Sequence, residues 1–319
     1  MPHDMPVPHD MVMAPPLAWS EVPSVAFSLG ITISLVVAVI AYLVGAARYR
    51  NLHPGASWSK RRTVSFLGGI VLVLVATESF IGTYDMALFA DHMIQHLLLI
   101  MVAAGLFAMG APFELATETL RGGLGAFVRR AARSKVAEVI GHPIFGFATY
   151  AFFIPFTHLT SIFNLMLTHM WVHRAEQVGF LIIGYLFWRP VVGIEPSRHP
   201  LSPGLRLVYL ALAVPIDTFT GLALVMSSHE PFSAYADMGR TWGPSLLSDI
   251  KTGGSIMWIG GDLLMMLAMI PVVVGWVRDE DAKTKILDAR LDAEAAAEAA
   301  AIQAEMIGAL NEPIEPPTT

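Results

Sequence analysis

The sequence predicts an all-α, polytopic membrane protein with about seven transmembrane helices, N-terminus outside and C-terminus inside the cytoplasm. Three observations predict this. Hydrophobic residues fill 55% of 319 positions and charged residues only 14%, where a soluble domain is roughly a quarter charged. The apolar residues gather into runs that approach or exceed the roughly 20 residues a helix needs to cross a bilayer, and mean hydropathy is +0.58. The basic residues are sorted between alternate connections, the bias that sets orientation.

The expected spans are 23–47, 63–83, 92–115, 143–160, 174–194, 205–227 and 253–277. The first, third, sixth and seventh are the clearest. The fourth is short and interrupted by Pro143 and Pro155, and 163–177 reads as a helical extension of the fifth. Lys and Arg cluster in the connections 48–62, 116–142 and 189–206 and after Arg278, whereas Arg174, Arg240 and Lys251 are alone on the opposite side. An odd number of spans separates the two termini, and seven satisfies this.

Three regions follow: a His-, Met- and Pro-rich extracytoplasmic tail over 1–22, a seven-helix domain over 23–277, and a cytoplasmic Ala/Glu-rich helical tail over 278–319. Residues 1–24 hold no Lys or Arg, so they lack the charged start of a signal peptide. A multi-pass protein of the plasma membrane is expected, with lipid as one partner. The net charge of −6 gives no reason to expect nucleic acid.

Cysteine is absent, which excludes disulfides and thiolate ligation. The topology places His3, His9, His92, His96, His158, His169, His173 and His229 outside or in the outer leaflet, and His53, His142 and His199 inside. Two motifs echo one another: HMIQH at 92–96 and HMWVH at 169–173. Residues four apart share one helix face, so each pair can offer two imidazoles to one ion. Glu176 follows on much the same face as His173; His158 closes the fourth span and His229 follows the sixth, both at the same level. Met86, Met93, Met166, Met170, Met226 and Met257 lie close by. Imidazole with thioether, and no thiolate, suits copper; His with Glu alone would also suit zinc. His3, Met5, His9, Met11 and Met13 form a candidate capture tail. Asp217 and Asp262 lie within spans and Glu78 near an outer end. With Glu176 they are candidates for supporting the site or lining an ion path, because ionisable groups in hydrocarbon are costly. The competing reading for the two aspartates is interhelical hydrogen bonding to Thr218, Thr220 or Ser255.

Four segments then carry a resemblance: DHMIQHLLLIMVAAGLFAMGAP at 91–112, FNLMLTHMWVHRAEQVGFLIIGYLFWRPVVGIEP at 163–196, PIDTFTGLALVMSSHEPF at 215–232 and GGSIMWIGGDLLMM at 253–266. In this order they resemble the CtaG-like assembly factors of the caa-type cytochrome c oxidase, over roughly residues 20–277. The resemblance implies a seven-helix, non-enzymatic protein that matures the oxidase at a copper centre, with oxidase subunits as partners. The family's histidines fall on His92, His96, His169, His173 and His229. A copper permease is a variant of this reading. A haem b electron carrier is a second, because transmembrane histidines ligate haem axially. A di-metal oxygenase ranks last, because its histidine boxes face the cytoplasm.

Overall fold

Within hydrocarbon every backbone N–H and C=O must bond inside its own segment, which leaves apolar runs with helix as the accessible structure. The computed structural model describes Pro16 and residues 28–237 and 239–310, and over these it is helical without strands. Two compact units are present, Met1–Met269 and Ile270–Thr319.

The elements are α1 (Leu29–Leu52), α2 (Lys60–Glu78), α3 (Phe80–Tyr84), α4 (Phe89–Leu97), α5 (Ala104–Gly110), α6 (Pro112–Thr119), α7 (Gly122–Ala132), α8 (Lys135–Ile140), α9 (Pro143–Leu159), α10 (Ile162–Thr168), α11 (Met170–Val192), α12 (Pro203–Val225), α13 (Ser233–Asp237), α14 (Leu246–Ser255) and α15 (Gly261–Leu310). Wider π-helical turns join α4 to α5 over Leu98–Ala103 and α14 to α15 over Ile256–Gly260.

Among the described residues, five helical stretches are long and apolar enough to cross a membrane: Leu29–Leu52, Lys60–Tyr84, Phe89–Thr119, Pro203–Val225 and Leu246–Ala304. The pair α9 and α10, bent by 70°, makes a sixth if it counts as one span. This is fewer than the seven expected. The expected span 174–194 does form a helix, α11, but it carries Arg174, Glu176, Gln177 and Arg189 and so falls outside the apolar set. Two local expectations also change. Pro143 opens α9 at its first turn, where no hydrogen bond is lost, and the helix continues through Pro155. Residues 163–177 are not one helix: His169 adopts extended backbone (φ −131°, ψ 103°) and separates α10 from α11.

In the first unit, α5 and the π-helical turn before it lie between α2 and α11, and α14 packs on α4 and α12. Small residues permit these approaches, as is usual between membrane helices. A Cβ on Gly184 would stand 2.5 Å from the Ile100 carbonyl oxygen, and Gly221 and Gly254 face one another equally closely. The Ile100 carbonyl belongs to the π-helical turn and accepts the indole N–H of Trp188 at 2.9 Å. At the α5–α6 junction the buried Glu195 carboxylate accepts the backbone N–H groups of Phe113 and Glu114, the Tyr185 hydroxyl and the Arg189 guanidinium. It thereby neutralises the first turn of α6 and ties it to α11. In the second unit the Ala/Glu-rich helix is exposed, with Arg290–Glu294 at 2.8 Å and Lys283–Glu280 at 3.4 Å. Such surface pairs contribute about 0.3–0.5 kcal/mol each.

Candidate metal centre

Asp249 on α14 accepts the backbone N–H groups of Phe89 (2.9 Å) and Ala90 (3.1 Å), so a carboxylate fixes the first turn of α4. One turn further, His92 and His96 point from the same face of α4. On α11, His173 and Glu176 sit three apart. The four side chains meet in the interior, with His92 fully buried and the others nearly so.

The Glu176 carboxylate is the hub. Oε1 is 3.5 Å from His96 Nε2; Oε2 is 3.7 Å from His92 Nε2 and 3.4 Å from His173 Nδ1. None of these five atoms has a hydrogen-bond partner. A ligand atom from each of His92, His96 and Glu176 lies within 4.8 Å of the others, the spacing of groups that can hold a metal ion.

The far side of each imidazole explains why these nitrogens are bare. His92 Nδ1 lies 3.3 Å from the Asp85 carbonyl oxygen, which can only accept, so the proton is on Nδ1 and Nε2 presents a lone pair. His158 Nδ1 donates to the Ile154 carbonyl at 2.8 Å, so its Nε2 accepts from His96 Nδ1 at 3.1 Å, and His96 Nε2 is bare in turn. His173 Nε2 donates to Asp85 Oδ2 at 3.0 Å, which leaves Nδ1 bare. The Gln177 amide lies near the same nitrogen but donates to Gln95 Oε1 at 3.2 Å, while Gln95 donates to Asp85 Oδ2 at 2.6 Å and to the Ala76 carbonyl at 2.8 Å. Tyr235, on α13, donates its hydroxyl to the Asp85 carbonyl at 2.9 Å, and burial pushes its phenol well above its usual pKa, so it remains a donor. The His92 and His96 lone pairs and the Glu176 carboxylate can thus share one ion, with His173 Nδ1 3.4 Å from Glu176 Oε2, and each imidazole is oriented by a hydrogen bond from behind. This is the arrangement that fixes tautomer and basicity in histidine metal sites.

Of the residues expected from sequence, His92, His96, His173 and Glu176 come together, and His158 supports His96 from behind. Glu176, expected in a supporting place, is central. His169 is exposed at the start of α11, beside the Thr168 hydroxyl, and is not brought to the cluster; the break at that residue separates it from the His173 face. His229 is likewise exposed, next to Ser228. Glu78 accepts the backbone N–H of Ser28 ahead of α1. Asp217 takes the Tyr150 hydroxyl on both oxygens, at 2.8 and 2.7 Å, and Asp262 takes the Thr218 hydroxyl at 2.8 Å. The capture tail of His3, Met5, His9, Met11 and Met13 lies outside the described residues. Asp85, Gln95, Gln177 and Tyr235 are the residues that sequence reasoning missed. Only the two glutamines left a signal, as uncharged amides about one helical turn after His92 and His173, in HMIQH and HRAEQ.

A family model described as the cytochrome c oxidase caa3 assembly factor, Caa3_CtaG, matches residues 40–279. The chain belongs to this family. Its description is of assembly rather than of a catalysed reaction. Residues of all four groups of the centre lie within the match. Among curated proteins the chain is 28% identical over 253 residues to uncharacterized proteins of Mycobacterium bovis and Mycobacterium tuberculosis, and 27% identical over 249 residues to one of Mycobacterium leprae. These alignments cover 77%, 77% and 76% of this chain and 38% of each relative, so the chain spans well under half the length of the curated relatives it matches. No solved structure matches.

Proposed function

We propose that the chain is a multi-pass assembly factor of the plasma membrane that holds copper, as cargo, at the His92, His96, His173 and Glu176 centre and passes it to a cytochrome c oxidase subunit. One observation carries this: the buried ligand atoms of His92, His96 and Glu176 lie within 4.8 Å of one another, with His173 Nδ1 3.4 Å from the same carboxylate, and none has a hydrogen-bond partner. Orphaned polar atoms in an interior cost about 1–3 kcal/mol each, so a folded chain that keeps five together has a use for them. An ion supplies the missing partner. The donors are neutral imidazoles and one carboxylate, a set that binds copper and zinc alike. Membership of an oxidase assembly family favours copper. The Lys/Arg bias supports seven crossings with the centre on the extracytoplasmic side, where α11, less apolar than the others, is one of the crossings.

The convergence supports a compact ion over haem, because the imidazoles face a carboxylate between them rather than standing on opposite sides of a ring plane. The test is metal analysis of the purified protein with oxidase activity in a deletion strain. Wild type binds copper and restores activity. His92→Ala combined with His173→Ala lowers the copper content and fails to complement. Unchanged copper content in that variant refutes the site, and full oxidase activity in the deletion strain refutes the role.

A further inference from the structure

A small cavity of about 20 Å³ adjoins the centre on the side of His96 and His158. That is room for one water molecule or one bare ion. Besides these two histidines its wall holds Met93, Met101, Met257 and Asp217. All three methionines are buried.

Two features distinguish this cavity from ordinary methionine packing. Met101 lies in the π-helical turn Leu98–Ala103 and Met257 in the π-helical turn Ile256–Gly260, so both such turns among the described residues open on the same space. A π-helical turn forfeits regular hydrogen bonding and re-aims side chains, and it is found mostly where function requires it. The wall also borders the first centre: His96, 4% exposed, lines the cavity, and its Nε2, without a hydrogen-bond partner, is the atom that stands 3.5 Å from Glu176 Oε1. Opposite, the Asp217 carboxylate receives one phenol shared between both oxygens and keeps lone pairs to spare.

We propose that this cavity is a second ion subsite, for a soft monovalent cation of the copper(I) class, that shares His96 with the His/Glu centre. Thioether sulfur is a soft, uncharged donor that selects monovalent copper over hard divalent ions. Imidazole serves either oxidation state, which makes His96 the natural shared ligand. Asp217 offsets the single positive charge, which a buried ion requires. The two neighbouring donor sets differ in hardness, so an ion moves between them by exchanging ligands at His96. This inference rests on the metal reading of the His/Glu centre only for that movement; the subsite itself stands on its own wall.

The test uses two probes on the full-length protein in detergent: Ag(I), a soft monovalent ion that is not readily oxidised, and Co(II), whose visible spectrum reports nitrogen and oxygen ligation. The variant is Met101→Leu with Met257→Leu, an exchange of similar volume that keeps the core filled; Met257→Leu alone serves if the double variant melts early. The expected result is loss of one tightly held Ag(I), or at least a tenfold weaker affinity for it, with the Co(II) spectrum unchanged. Met170→Leu with Met226→Leu, two exposed positions, leaves that Ag(I) in place. Equal Ag(I) binding by wild type and the cavity variant overturns the subsite, as does its loss in the exposed-site variant. Failure of Co(II) to bind wild type while the cavity methionines govern Ag(I) removes the His/Glu reading and leaves the subsite standing.

Discussion

Replacing Glu176 by Gln separates two accounts of the buried cluster by the sign of its effect. If the centre is built for an ion, the ion-free protein holds a carboxylate against three lone pairs with no donor among them. Glutamine has nearly the same shape, removes the charge and brings two N–H donors, which can satisfy two of the three imidazoles. At about 1–3 kcal/mol per orphaned group, the ion-free variant gains on the order of 2 kcal/mol. With a slope of about 2–4 °C per kcal/mol for a domain of this size, its melting point rises by roughly 4–8 °C. If instead Glu176 is a structural anion paired with protonated histidine, removing it breaks a buried pair at a cost of about 3–5 kcal/mol, and the melting point falls. The second arm adds ion. At a hundredfold excess over Kd, wild type gains about 2.7 kcal/mol, and the variant loses most of that gain. Thermal unfolding in detergent, chelator against copper or cobalt, reads both arms. A lower melting point for chelated Glu176→Gln, with the ion-induced rise retained, refutes the reasoning.

Asp85→Leu removes the acceptor that holds the proton on His173 Nε2; metal affinity falls about 10- to 100-fold, the usual effect of losing an outer partner, as measured by competitive titration with a chromophoric chelator. His158→Leu frees His96 Nδ1 and lowers affinity about tenfold on that same general ground, while His158→Gln, whose amide oxygen can accept the same N–H, recovers part of it in the same titration. Gly184→Ala inserts a Cβ 2.5 Å from the Ile100 carbonyl oxygen and 2.7 Å from Ala104 Cβ; overpacking of this kind costs about 1–3 kcal/mol and lowers the melting point with no change in metal stoichiometry.

The helices and the two ligand pairs differed in how legible they were. A run such as 205–227 is apolar throughout, and the structure places α12 over Pro203–Val225. The His92 and His96 pair was also legible, because α4 is regular across it and i, i+4 spacing then guarantees a shared face. The His169 and His173 pair has identical spacing and failed the same inference, since His169 adopts extended backbone and ends the helix on which that argument depends. Nothing in THMWVH marks that residue as a helix start: no Pro, Gly or Asp is present, and the nearest capping residue is Thr168. Glu176 was underrated for a related reason. Charge within a span is costly, so a carboxylate there reads as a peripheral partner until the fold shows imidazoles on three sides of it. Asp85 was invisible because a connection between spans lacks the periodicity that would say where its side chain points.

These failures share a physical cause that bears on how the centre works. Each element that reaches it is interrupted beside the group it contributes. α2 ends at Ser79 before the segment carrying Asp85, α4 passes into its π-helical turn two residues after His96, and α11 starts at Met170, three residues ahead of His173. A continuous helix fixes its side chains through the hydrogen bonds on either side of them, whereas a break gives up some of those bonds and lets the two flanks move separately. The breaks therefore lie close to the ligands, while the glycine contacts of α11 with the α4–α5 turn and of α12 with α14 keep the surrounding helices close. For a fully buried centre this distribution matters, because an ion reaches His92 only if something moves.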